Sequence, residues 1–117
     1  MKSLLRLCCV VLVFVLSLAA CGNEQLPVQQ IAIQGLDIKF NLNTLTVNAG
    51  QPVELTYENR GVIDHAFKID GIAKEIKIRP GETRVITFTA KKPGDYRFVC
   101  AMPGHEMAGM SGTLHVQ

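Results

Sequence analysis

Apolar and polar residues alternate along most of the chain. In Val53-Glu54-Leu55-Thr56-Tyr57-Glu58 they swap at every step, the period of a strand with one buried face. Similar runs occupy residues 36–40, 45–47, 66–69, 76–78, 85–89, 96–100 and 113–116. Turn-forming clusters separate them: Ala49-Gly50-Gln51-Pro52, Asn59-Arg60-Gly61, Asp70-Gly71, Arg79-Pro80-Gly81 and Lys92-Pro93-Gly94. Past the first twenty residues no segment carries a sustained helical stripe. Seven or eight short strands at this spacing predict an all-β domain, an antiparallel Greek-key sandwich or barrel. Such a fold names no function by itself.

The start of the chain breaks the pattern. Lys2 and Arg6 precede an unbroken apolar run over residues 7–16, and Ser17-Leu18-Ala19-Ala20-Cys21 follows. A charged start, an apolar middle and a small-residue end predict a secretory signal peptide over residues 1–20. The run falls short of the roughly 20 residues that a permanent membrane helix needs. Leu18-Ala19-Ala20-Cys21 resembles a bacterial lipobox, which implies cleavage before Cys21 and a diacylglyceryl thioether on its sulfur. The alternative is an ordinary signal peptide cut nearby, with Cys21 a plain thiol. Both imply export. Residues 21–30 then form a lipidated terminus and a polar, flexible tether reaching at most about 30 Å. The folded domain is expected over 31–117.

Composition narrows the function classes. The chain has 117 residues, enough for one domain, and a formal charge of +2. Without Lys2 and Arg6 the balance is even, which argues against nucleic acid or any strongly charged partner. Of the four cysteines, Cys8 and Cys9 lie in the apolar run and Cys21 at the lipid site. Cys100 is left alone in the domain, so no internal disulfide staples it. A lone thiol in an exported domain is either a buried hydrophobe or a working residue.

The segment Cys100-Ala101-Met102-Pro103-Gly104-His105-Glu106-Met107-Ala108-Gly109-Met110 favours work. It sets a thiolate donor, an imidazole and a thioether in one loop as C-x4-H-x4-M, with His65 far upstream. Two His and one Cys with a distant Met form the type 1 copper donor set, in which soft sulfur favours Cu(I) and imidazole binds both oxidation states. Strand period agrees. Tyr96, Phe98 and Cys100 share one face, as do His65, Phe67 and Ile69, so if the aromatic faces are the core faces both donors point into the sandwich. Pro103-Gly104 shapes a turn that aims His105 back. Gly109 and Gly112 allow the close turn that brings Met110 in, while Met107 is the competing thioether and Met102 and Met107 otherwise serve as apolar cover. His115, between Leu114 and Val116, alternates outward. Asp64 and Glu106 flank donors and read as solvated loop residues.

From residue 36 to residue 116 the chain resembles a cupredoxin of the plastocyanin and azurin type. The likeness is carried by Asn48-Ala49-Gly50-Gln51-Pro52-Val53, by Asp64-His65-Ala66-Phe67, by Lys92 through Cys100, by Pro103-Gly104-His105 and by Gly109-Met110. It implies one copper ion with His65, Cys100 and His105 as equatorial ligands and Met110 as the weak axial one. One departure stands out. Family members often carry Asn or Ser after the first ligand, whose side chain tethers the ligand loop, and this chain has Ala66. Only the Ala66 backbone N–H remains to reach the sulfur. The function expected is a membrane-tethered one-electron carrier, in the periplasm or on the outer cell face, working between redox partner proteins. It needs no small-molecule substrate and no catalytic acid or base, so an enzyme is not expected. A copper-trafficking lipoprotein is the alternative, and would be marked by ready metal transfer with poor redox cycling. A binuclear centre needs two bridging cysteines, and this loop has one.

Overall fold

A computed structural model describes residue 22 and residues 24–117. The expected signal peptide and the proposed lipid site at Cys21 lie outside the described residues. Eight strands follow in order: β1 (Gln29–Gly35), β2 (Thr44–Val47), β3 (Val53–Asn59), β4 (His65–Ile69), β5 (Ala73–Ile78), β6 (Thr83–Phe88), β7 (Gly94–Cys100) and β8 (Ser111–Val116). No helix interrupts them among the described residues. The strands form a three-stranded sheet ordered β1-β3-β6 and a five-stranded sheet ordered β2-β8-β7-β4-β5.

Alternation becomes burial most cleanly in β3, where Val53, Leu55, Tyr57 and Asn59 are buried and the residues between them are half-exposed. Val53, Leu55 and Tyr57, with Ile33 of β1, meet Leu45, Val47, Phe67, Ile69, Phe98, Leu114 and Val116 of the other sheet in one apolar core. Fully burying each aliphatic or aromatic side chain is worth about 1.5–3 kcal/mol. Phe67 packs against Phe98 at 5.7 Å and against Tyr57 at 5.3 Å between ring centroids. Phe40 meets Tyr57, Phe67 and Phe98 edge-on, an arrangement that adds to plain area burial.

The structure corrects three expectations. The first strand is not 36–40. Leu36 N–H donates to the Lys39 carbonyl at 2.8 Å, closing a turn that leaves Ile38 exposed, and only Phe40 keeps a ladder contact, an isolated bridge to Gly35. Here the chain leaves one sheet for the other, so its backbone groups bond locally. Gln29–Gly35 forms the strand instead, joined to β3 by ladder bonds and by side-chain bonds from Gln30 to Glu54 and from Gln34 to Glu58. The second correction concerns the tether, which ends earlier than residue 30. Gln29 N–H donates to the Pro52 carbonyl, and Gln51 Nε2 to the Pro27 carbonyl. Third, the sheets are mixed rather than antiparallel. β1 runs parallel to β3 and β2 parallel to β8. Each parallel neighbour is reached after the chain has crossed to the opposite sheet, and parallel pairing requires such a long connection.

Candidate metal centre

β4 and β7 run antiparallel with Phe67 opposite Cys100. The first residue of β4 and the last of β7 therefore meet at one end of the sandwich. His65 and Cys100 are both fully buried there, on the core face with Phe67 and Phe98, as the strand period predicted. Ala66 and Val99 are buried too, so this end is enclosed on both faces of the sheet.

Beyond Cys100 the chain turns back on itself and supplies the other donors. Ala101 N–H donates to the Ala66 carbonyl at 2.6 Å, which pins the loop's root to β4. His105 N–H donates to the Met102 carbonyl at 3.1 Å, and Gly104 adopts φ +83°, a left-handed value favouring glycine. Met110 then ties the loop shut. Its N–H donates to the His105 carbonyl and its carbonyl accepts from Cys100 N–H, both at 3.0 Å. Gly109 makes the close turn with φ +94°. Gly112 has a different reason to be glycine: a Cβ there would lie 2.2 Å from Phe98 Cζ.

Cys100 Sγ approaches His65 Nδ1 at 3.6 Å and His105 Nδ1 at 3.3 Å, and it accepts a bond from Ala66 N–H at 3.4 Å. The three candidate donor atoms all lie within 4.8 Å of one another. Two donors bonded to one ion at roughly 2.0–2.3 Å stay within about 4.4 Å of each other, so the sulfur and either imidazole can share an ion. The donor chemistry, two imidazoles and one thiolate with a buried thioether beside them, fits a single copper ion of type 1. Met110 is fully buried, whereas Met107 is 94% exposed, which separates the two competing thioethers. His105 is half-buried and Met102 partly covered, while Pro103, Met107 and Ala108 face solvent.

The electrostatics favour metal over proton at His65. Burial holds its pKa below the ordinary 6.5, against an opposing pull from the Leu36 backbone. A neutral imidazole is the form that binds metal. Its Nε2 is buried without a partner at normal hydrogen-bond geometry. The neighbouring Tyr57 hydroxyl is likewise buried and unpartnered, and burial, with the nearby Cys100, keeps the phenol protonated. Asp64 and Glu106, read as solvated loop residues, are in fact ion-paired. Asp64 meets Lys77 at 2.7 Å, which lowers its pKa, and Glu106 meets Arg97. Both acids sit beside a histidine donor, and each pair leaves that rim nearly neutral. His115 is exposed and meets Asp95 at 2.7 Å, far from the donors in the strand register.

Two residues that the sequence pattern did not mark as functional also shape this end. Gly35 lies so close to Tyr57 and His65 that a Cβ would meet the Tyr57 hydroxyl at 2.0 Å and His65 Cδ2 at 3.1 Å. Asn59 is buried among carbonyls, at a core-phase position of β3 that a polar residue in the Val53, Leu55, Tyr57 series could have flagged.

Comparison with known proteins agrees with this geometry. A family model described as a cupredoxin-like domain matches residues 7–116. Auracyanin-B of Chloroflexus aurantiacus is 40% identical over 47 residues, 40% of this chain and 20% of that protein. Cytochrome c oxidase subunit 2 of Thermus thermophilus is 31% identical over 81 residues, 67% of this chain and 58% of that protein. The chain spans between 20% and 66% of the length of the curated relatives it matches. Among solved structures, the dithionite-reduced auracyanin of Roseiflexus castenholzii superposes with a TM-score of 0.68 at 25% identity, covering 76% of this chain and 97% of that one. With the strand order, the buried thiol and histidine, and a match along nearly its whole length, the chain belongs to the cupredoxin-like domain family.

Proposed function

We propose that the protein is a one-electron carrier using a single type 1 copper ion held by His65, Cys100, His105 and, more weakly, Met110. The observation that carries this reading is the meeting of two imidazoles and the lone buried thiol within 4.8 Å at the closed end of an apolar core. Copper bound there supplies the one-electron couple. The chain's own residues do the rest. Ala66 N–H donates to the sulfur, and such an outer bond tunes a thiolate's donor strength. The loop's backbone bonds hold three of the donors in fixed register, so they move little when the charge at the site changes. The half-buried edge of His105 is the exit for the electron, rimmed by Pro103, Met107 and Ala108. A small, weakly charged patch suits brief docking with redox partner proteins. Relatives named auracyanin and cytochrome c oxidase subunit 2, and a solved auracyanin described as dithionite-reduced, support a redox role. No substrate turnover is part of this reading.

The carrier is exported and held at a bacterial membrane through lipid on Cys21. Residues 24–28 are exposed and outside any strand, which fits a short spacer. β1 begins at Gln29, beside Val53, and ends at Gly35, against His65. The spacer therefore leaves from the pole opposite the donors, roughly 20 Å away at the strand rise of about 3.3 Å per residue, a departure that leaves the His105 edge open to partners.

Titration of the reduced protein with Cu(II) tests the function. One copper per chain should give an intense visible sulfur-to-copper band that bleaches and returns through reduction and reoxidation. A colourless complex, or a band that cannot be cycled, contradicts it.

A further inference from the structure

We infer that Asn59 is the positioning residue for His65, fixing that ligand's approach to the centre. The inference rests on the proposed metal site and adds to it a residue that touches no donor atom.

The side chain of Asn59 is 1% exposed and all its main capacities are used. Nδ2 donates to the Ile63 carbonyl at 2.8 Å and to the Ile78 carbonyl at 3.0 Å. Oδ1 accepts from Gly61 N–H at 3.0 Å. Its backbone is engaged as well: Asn59 N–H donates to Glu82 and its carbonyl accepts from Gly81 N–H, each at 2.9 Å. One residue thus joins the end of β3, the segment 60–64, the last residue of β5 and the β5–β6 turn.

The partners are well placed to act on His65. Ile63 lies two residues before it, and Ile78 stands directly opposite it in the β4–β5 ladder. The amide therefore grips both sides of the point where the chain enters β4. Elsewhere segment 60–64 is held at its surface: Asp64 pairs with Lys77 at 2.7 Å, and Gly61 lies close against the Leu36 carbonyl. Arg60 N–H donates to the Gly35 carbonyl and Val62 N–H to Asp37 Oδ1, while Val62 and Ile63 present apolar side chains to solvent. The other donors need no such device, because Cys100, His105 and Met110 are bonded through their own loop. A buried polar group satisfied on every side specifies one arrangement, and here that arrangement sets the ring of His65.

The test compares Asn59→Ala and Asn59→Ser with Val116→Ala in the full chain. Ser can still accept from Gly61 N–H, as hydroxyls do in turns, but it cannot reach both carbonyls, and it serves if the Ala variant does not fold. Val116 is buried at the opposite pole, beside Gly94, and controls for lost stability alone. In the metal-free protein, the Asn59 variant should speed amide exchange over residues 61–65 by about tenfold. It should also split or shift the NMR signals of the His65 ring. Val116→Ala should do neither. Loop exchange and ring signals like wild type in Asn59→Ser, or the same changes in Val116→Ala, overturn the inference. With copper, the Asn59 variant should alter the EPR hyperfine splitting and release metal to a chelator about tenfold faster; an unchanged EPR spectrum also overturns it. If wild type forms no blue centre, the metal reading fails, and the metal-free arm still decides what Asn59 does.

Discussion

The two segments that meet at the proposed centre are built on opposite principles. The segment from Cys100 to Met110 carries three donors within eleven residues, and the bonds that join those donors are internal: Met110 bridges Cys100 and His105 through its own peptide groups. His65 comes alone. It is held by residues outside its own strand: Ile78 across the ladder, Asn59 at the end of β3 through its bonds to two carbonyls, and Gly35 of β1 by close approach. A short loop can specify three ligands locally, but the fourth must be delivered by the fold. The difference says where the site should be fragile.

The largest effect breaks the local segment at its centre. Cys100→Ser removes the only thiol among the described residues and should abolish the visible band entirely while leaving the β-sheet circular dichroism intact. Next comes the His65 side. Gly35→Ala drives a methyl into the Tyr57 hydroxyl and towards His65, and should cost about 1–3 kcal/mol by overpacking, measured by denaturant unfolding. It should also perturb the band, because the collision falls on a donor ring.

Gly109→Ala sharpens the contrast within the loop. Nothing lies within 4 Å of its Cβ position, so only the left-handed backbone objects, at about 1–2 kcal/mol. Smaller still is the thioether pair. Met110→Leu should keep the blue band and shift the reduction potential, measured by voltammetry, whereas Met107→Leu, fully in solvent, should leave both unchanged.

The smallest effect is the pH dependence that His65 contributes. Burial holds its folded pKa below 6.5, so the unfolded chain takes a proton first as pH falls. The stability of the metal-free protein should be complete above about pH 6.5 and decline as the solution is acidified through and below that value. Thermal melts from pH 8 to pH 5 check this, and His65→Leu should flatten the slope.

The same contrast explains what the amino-acid pattern disclosed. C-x4-H-x4-M is local, so the residues of the loop could be named from their spacing, and the period of Tyr96, Phe98 and Cys100 put the thiol on the core face. The support of His65 is long-range. Asn59 looked like the first residue of an Asn-Arg-Gly turn, although it sits in phase with Val53, Leu55 and Tyr57. Gly35 gave no sign at all, since its need for a bare Cα comes from a tyrosine 22 positions on. β1 was obscured because three glutamines blur its period, and its parallel partner is fixed by a crossover that alternation does not record. Residues 36–40 alternate well and still do not form a strand, because the chain changes sheet there.

Anomalous diffraction from crystals of the copper-loaded protein tests the central claim most directly. The account predicts one copper peak per chain, within bonding distance of His65 Nδ1, Cys100 Sγ and His105 Nδ1, with the Met110 sulfur as a weaker fourth contact. Copper bound elsewhere, or His65 turned away from the sulfur with the metal in place, would contradict it.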